Sequence, residues 1–288
     1  MTEMMVERRL TIQGALDSAT DTLAAAGIER PRREATRLLT DLLDLAPGEV
    51  MLERSSVIEP DRRRWIDRAV ERRARGEPLA YVTGVVGFRT LVLRSDSRAL
   101  IPRPETEGVV DRALALSPGG VAIDVGTGTG CLALSLRAEG RYGRVAAVDI
   151  DRAALSLADQ NRRRLGLEVD LLLGDLTMPV ASASADLVVS NPPYVSEGEY
   201  AALPPGVRDF EPRLALASGA DGLDASRRLL RDGLRVLRPG GWIILELASN
   251  RGETLAVLAS ELGWRDLRVD EDLFGRSRYL MARREVGA

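Results

Sequence analysis

Residues 121 to 131 read Val-Ala-Ile-Asp-Val-Gly-Thr-Gly-Thr-Gly-Cys, "VAIDVGTGTGC". The first five residues read as a strand, and the run "CLALSLRAEG" that begins at Cys131 reads as a helix. Between them stand Gly126, Gly128 and Gly130. Glycines at a strand-to-helix junction let the backbone turn sharply and come close to a ligand, with the helix N-terminus behind. Asp149 ends the next predicted strand, 23 residues after Gly126. A carboxylate at that place can accept both hydroxyl hydrogens of a ribose. The dinucleotide fingerprint G-x-G-x-x-G would need glycine at position 131, which is cysteine here. The G-x-G-x-G spacing, with Asp124 in front of it, resembles the pattern of methyltransferases that use S-adenosylmethionine (SAM). Gly126, Thr127, Gly128, Thr129, Gly130 and Asp149 are therefore the expected cofactor-binding residues. A nicotinamide enzyme and a turn that binds nothing are the weaker alternatives.

Outward from this loop, strands and helices alternate. "RVAAVDI" is followed by the helical "DRAALSLADQNRRRLG", then by "VDLLLGD", "ADLVVS", the helical "ASRRLLRDGLRVL" and "GGWIILEL". That order predicts an α/β domain with a mostly parallel sheet wrapped by helices. After another helix, "RGETLAVLASELG", the runs "WRDLRVDED" and "RSRYLMAR" are spaced to pair antiparallel at one edge. Three segments are expected: helices over 1–78, a hairpin or linker over 79–103, and the Rossmann-like methyltransferase domain over 104–288. In the first, Ile12, Leu16, Ala19 and Leu23 recur at helical spacing up to Gly27. Pro31 opens a second helix, whose stripe Leu38, Leu39, Leu42 and Leu43 runs up to Pro47. A third holds Ile66 and Val70 on one face, and across positions 61 to 75 seven arginines outnumber three acids. That face reads as solvated and laced with i,i+4 pairs, or as a dock for an acidic partner surface.

Composition narrows the chemistry. Of 288 residues, 45% are apolar and 29% charged, as in ordinary soluble domains. No apolar run approaches the ~20 residues that span a bilayer. Met1 to Leu10 is charged and lacks the apolar core of a signal peptide. The lone Cys131 excludes an internal disulfide framework and points to a reducing cytoplasmic setting. Histidine and lysine are absent, and all 40 basic residues are arginine. Ser-His and Cys-His nucleophiles, histidine metal sites, Schiff-base lysines and the Gly-Lys-Ser/Thr phosphate loop are thereby excluded. What remains is chemistry carried by carboxylates, amides, backbone groups or a cofactor.

The strand "ADLVVS" ends in Asn191-Pro192-Pro193-Tyr194. Two prolines fix two φ angles, and Pro192 biases Asn191 toward extended geometry. Such a stiff corner aims the Asn191 side-chain carbonyl and the Pro192 backbone carbonyl in set directions. Two aimed acceptors suit a planar NH₂ on an sp² carbon, whose lone pair is delocalised and poorly nucleophilic. Gripping both N–H bonds orients that lone pair and stabilises the positive charge that develops on nitrogen. Tyr194 is the expected stacking platform. Asp175, after the third strand, faces the same edge and suits the adenine amino group or, equally, a loop cap.

Taken in order, "IPRPETE" (101–107), "DVGTGTG" (124–130), "VDID" (148–151), "SNPPY" (190–194), "FEPRLAL" (210–216), "GADGLD" (219–224) and "GG...LEL" (240–247) resemble the release-factor glutamine methyltransferases known as PrmC or HemK. The resemblance covers essentially the whole chain. It implies SAM-dependent methylation, at N5, of the glutamine in the Gly-Gly-Gln motif of class 1 peptide chain release factors. By position, it gives the glycine loop and Asp149 to SAM and residues Asn191, Pro192, Pro193 and Tyr194 to the glutamine amide. Leu176 stands where some members carry an aromatic residue against adenine. The helical N-terminal region would grip the release factor, and a monomer is the default expectation. The competing expectation is an adenine or guanine N-methyltransferase acting on nucleic acid, since the same corner serves flipped bases. An acidic pI near 5.4, a net charge of -3 and 4% aromatics argue against it.

Overall fold

A computed structural model describes residues 10–46, 48–116 and 119–286, and divides at residues 85 and 86 into two compact units. The expected helix stop at Pro47 and the charged stretch before Leu10 lie outside the described residues.

The first unit is helical, with α1 (Ile12–Ala25), α2 (Pro31–Leu43), α3 (Glu49–Leu52), α4 (Pro60–Ala74) and α5 (Leu79–Thr83). Thr11 caps α1 by accepting the Gly14 N–H, and Pro31 and Pro60 open α2 and α4, where the missing N–H costs nothing. The helical-period positions Leu16, Leu23, Leu38, Leu39 and Ile66 are buried in one core with Val70 and Val82. On α4, Arg63, Arg64, Arg72 and Arg73 all lie in ion pairs, Arg73 with Glu34 of α2. Much of the arginine face is thus neutralised within the unit. The β-branched texture at "YVT" was expected to belong to the hairpin; it is helical instead. Val82 joins the helical core and Tyr81 is buried beside it in sequence, and Gly84 in the left-handed region (φ 76) ends the turn.

The second unit begins with a small hairpin, β1 (Val85–Phe88) and β2 (Leu91–Arg94). A single 3-10 turn, Pro104–Thr106, leads into α6 (Glu107–Leu116). Then come β3 (Val121–Val125), α7 (Cys131–Glu139), β4 (Arg144–Asp149), α8 (Arg152–Leu165), β5 (Asp170–Leu173) and β6 (Ala185–Ser190). Two short helices not foreseen from sequence, α9 (Glu197–Ala201) and α10 (Pro205–Arg208), precede α11 (Asp224–Val236). The chain closes with β7 (Leu237–Glu246), α12 (Gly252–Glu261), β8 (Arg265–Glu271) and β9 (Ser277–Arg283). The seven strands lie in the order β5-β4-β3-β6-β7-β9-β8. The first five are parallel, and β9 runs antiparallel to both β7 and β8. The expected antiparallel edge is present, with β9 inserted between β7 and the outermost β8.

Alternate residues of β6 face opposite sides of the sheet, as the pleat requires. Leu187 and Val189 join one core layer with Leu134, Leu136 and Met281, while Val188 joins the other with Ile243, Leu245 and Trp264. Among the described residues no helix is long and apolar enough to cross a membrane. Trp264 is fully buried, and its indole N–H donates to the Leu230 carbonyl of α11 at 3.0 Å. Trp264→Ala should destabilise the fold by about 3–5 kcal/mol in urea unfolding. A loss below about 1 kcal/mol would mean that this side of the sheet repacks freely.

Candidate functional site

From β3 the chain winds outward through β4 to β5, then crosses back to β6 on the other side of β3. That reversal is a topological switch point, where open α/β sheets leave a crevice beyond the strand ends. The register pairs Val125 with Val148 and Asp124 with Val189, so the residues that follow emerge together. They line a cavity of about 370 Å³ with the glycine loop, Asp149, Asp175, Leu176, Asn191 and Pro193 on its wall.

The loop is a tight turn. Gly126 and Thr127 both donate to the Val148 carbonyl, at 2.8 and 3.0 Å, and the Gly130 N–H closes on the Thr127 carbonyl at 2.8 Å. Gly126 has a φ of +73°, and a Cβ built on it would meet no protein atom within 4 Å. The glycine therefore leaves open space where the cavity passes the backbone. Asp149 is buried at the wall; Oδ2 accepts the Gly128 N–H and Oδ1 the Asp151 N–H, both at 2.9 Å. Burial pushes its pKa up, and those backbone donors oppose the rise. A carboxylate has about four acceptor positions, so its backbone donors do not exhaust it.

Asp124 lies beneath the loop. Its Oδ2 accepts the Thr127 hydroxyl at 2.6 Å and the Ala133 N–H at 3.1 Å, while its buried Oδ1 has no partner. Burial pushes this carboxyl up to about 7. Asp175 meets Arg228 of α11 at 2.6 Å through Oδ2. Leu176, in the left-handed region at φ 48, packs against the core while touching the cavity.

At the corner, Asn191 Nδ2 donates to Thr106 Oγ1 at 3.0 Å. Pro193 lines the cavity; Pro192 is buried, and neither Pro192 nor the partly buried Tyr194 forms part of the wall. Burial pushes the Tyr194 hydroxyl up to about 12. Among the described residues, nothing in the chain donates to Asn191 Oδ1 or to the Pro192 carbonyl.

The "IPRPETE" segment contributes Pro102 and Thr106 to the wall, and it is held from two sides. Glu211, in "FEPRLAL", accepts the Ile101 N–H at 3.3 Å and meets Arg103 at 2.6 Å. Tyr279 of β9 donates its hydroxyl to the Glu105 carbonyl at 2.6 Å. A Cβ on Gly108 would lie 2.2 Å from that hydroxyl oxygen, so the position needs glycine. Sequence reasoning did not single out Thr106, Ile150 or Arg228, which also line the cavity. The Pro-Glu-Thr turn was the available signal for Thr106; Ile150 and Arg228 carry none.

For an acid whose folded pKa is raised, the folded state keeps a proton that the unfolded state releases above 3.8. Stability from Asp124 is thus complete in acid and lost as pH rises toward about 7. Asp124→Asn has no proton to lose, so its stability relative to wild type should improve between about pH 4 and pH 8. Urea midpoints that keep a constant gap across that window would refute the assignment.

Residues 14–84 match the family model of the PrmC N-terminal domain, and residues 109–203 that of the methyltransferase small domain. The chain is 41% identical over 281 residues to the release factor glutamine methyltransferase of Moorella thermoacetica, covering 96% of this chain and 99% of that one. Identity to the protein of the same name from Cereibacter sphaeroides is 39% over 271 residues, covering 93% and 97%. Among solved structures, a T. thermophilus rRNA methyltransferase in complex with AdoMet and guanosine is similar with a TM-score of 0.50 at 18% identity, covering 70% of this chain and 50% of that one. That likeness is one of fold.

Proposed function

The chain belongs to the release factor glutamine methyltransferases, and on that premise we propose that it transfers a methyl group from SAM to the N5 amide nitrogen of the glutamine in the Gly-Gly-Gln motif of class 1 peptide chain release factors. The observation that carries the mechanism is Asn191. It stands on the cavity wall with its amide nitrogen tied back to Thr106 and its carbonyl oxygen without a partner among the described residues.

The residues present fit the cofactor. Gly126 leaves backbone-side space that any side chain would fill, and Asp149 keeps acceptor positions in reserve beside it. In this reading the loop Gly126–Gly130 and Asp149 hold the ribose end, and Asp175 and Leu176 border the adenine. The fold is shared with an rRNA enzyme whose structure contains AdoMet, which supports the same choice of cofactor. Bound there, SAM supplies an electrophilic methyl group on a sulfonium.

The chain's own contribution is to make a poor nucleophile adequate. Asn191 Oδ1 and the Pro192 carbonyl accept the two N–H bonds of the glutamine amide, which turns the nitrogen lone pair toward the cavity. They also stabilise the charge that develops on that nitrogen as it reacts. Pro193 keeps the corner stiff. Tyr194, partly buried at the end of the corner, is the platform for the amide plane. The methylated amide cation is acidic enough to lose its proton to water, so a chain without histidine or lysine can complete the reaction. The helical unit is proposed to dock the release factor, acting as a single copy in the cytoplasm.

The test offers labelled SAM to unmodified release factor, DNA and RNA in parallel, with mass spectrometry to locate the methyl. Label on the Gly-Gly-Gln glutamine is expected; label on a base amine would move the protein to nucleic-acid modification. Asn191→Ala should bind SAM within about threefold of wild type while turnover falls on the order of a hundredfold or more. Asp149→Ala should instead weaken SAM binding roughly tenfold to a hundredfold in calorimetry, through loss of charge-assisted hydrogen bonds. Wild-type turnover by Asn191→Ala would overturn the amide-gripping mechanism.

A further inference from the structure

Glu246 sits where the packing gives no reason for a carboxylate. It ends the run Trp242-Ile243-Ile244-Leu245 of β7, is 1% exposed, and its buried Oε2 has no hydrogen-bond partner. An unsatisfied buried carboxyl is costly, so its presence calls for a local explanation. The sheet register supplies a neighbour. Ser190 of β6 pairs with Leu245 of β7, so the next residues, Asn191 and Glu246, leave adjacent strands side by side. Thr106, 2% exposed, arrives from the turn before α6 and interacts with both.

We propose that Thr106 and Glu246 are positioning residues for Asn191, forming a hydrogen-bond chain that decides which end of the Asn191 amide faces the cavity. This inference rests on the reading of Asn191 as the group that grips the substrate amide. An asparagine side chain has two nearly isosteric orientations, one presenting oxygen and the other NH₂. Only the first can accept an N–H from the substrate.

The selection follows from counting donors. A threonine hydroxyl has one proton and two lone pairs, and an ionised carboxylate only accepts. Burial pushes the Glu246 carboxyl up to about 7, while the neighbouring Thr106 hydroxyl favours its charged form; in that form the carboxylate only accepts, and the hydroxyl proton is directed to it. What Thr106 then offers Asn191 is a lone pair, which NH₂ can satisfy and the amide oxygen cannot. The observed contact is of that kind, with Nδ2 donating to Oγ1 at 3.0 Å. Oδ1 must therefore point away from Thr106. The other charged groups near Glu246 are Arg103 and Arg278, which favour its ionised form, and Glu105, which opposes it. The Tyr194 phenol and the Cys131 thiol also feel the Glu246 charge.

The test is steady-state kinetics with release factor, alongside calorimetry with SAM. Thr106→Val removes the hydroxyl, and Glu246→Leu removes the acceptor without leaving a buried charge. Each should lower kcat on the order of tenfold to a hundredfold, as misorientation of a reacting pair does, with KM and SAM affinity within about threefold. Thr106→Ser and Glu246→Gln retain a hydroxyl and an acceptor, and should keep most of the rate. The Thr106→Val/Glu246→Leu double variant should be no slower than the slower single variant, because the two act through one chain. SAM binding by each variant establishes that it is folded. Wild-type kcat in Thr106→Val and Glu246→Leu, or a loss confined to KM, overturns the inference; provided Asn191→Ala is inactive, the mechanism above survives. Wild-type turnover by Asn191→Ala removes that mechanism itself.

Discussion

Parallel strands that share a register must release their chains at one edge, and β3, β4 and β6 are bound by that constraint. Because β3 and β4 pair Val125 with Val148, and β3 and β6 pair Asp124 with Val189, three connections leave the sheet within one residue of the same level. One carries the glycine turn, one Asp149 and one Asn191. The switch in strand order between β3 and β6 opens the space between them. A shift of one residue in any pairing would turn the following side chain to the other face and dissolve the arrangement. The site is thus a property of the sheet, and the loops inherit their positions from it.

Electrostatics inside this frame rely on carboxylates kept away from water. Asp124, Asp149, Glu211 and Glu246 are all buried, and each faces backbone N–H groups, a hydroxyl or an arginine. Glu211 does the most mechanical service, since one side chain joins the backbone at Ile101 and the guanidinium of Arg103. With lysine absent, every such ion pair uses a planar guanidinium whose donors have fixed directions, so each pairing also fixes an orientation.

The sequence made the frame legible where one residue type serves one conformation. Glycines between strand and helix, an acid at the end of the next strand, and prolines after a third all restrict local geometry in ways a pattern can express. Helices in the first unit were legible for the same reason, through Leu16, Leu23, Leu38 and Leu39 at helical spacing. Residues 79–83 were misread because the β-branched and aromatic side chains of "YVT" satisfy a strand pattern, whereas they form a short helix with Tyr81 buried and Val82 in the helical core. Thr106, Arg228 and Glu246 were illegible on different grounds. Their roles arise from partners 85, 53 and about 140 positions away, and no local pattern records such distances. The corner was read correctly as a corner, but which of its side chains would reach the cavity depended on the strand's pleat and on what packs behind it.

The hold of Tyr279 on the Glu105 carbonyl has a consequence for how the molecule comes into being. The two residues are 174 positions apart, and β9, which carries Tyr279, is the last strand among the described residues yet lies inside the sheet, between β7 and β8. Synthesis runs from the N-terminus, so the glycine turn, Asp149 and Asn191 all exist long before β9 does. Until that strand leaves the ribosome and inserts, the segment around the Pro104–Thr106 turn has the Glu211 contacts but lacks the one from Tyr279. A half-made chain can therefore possess every residue of the cavity wall and still lack one of the contacts that brace it.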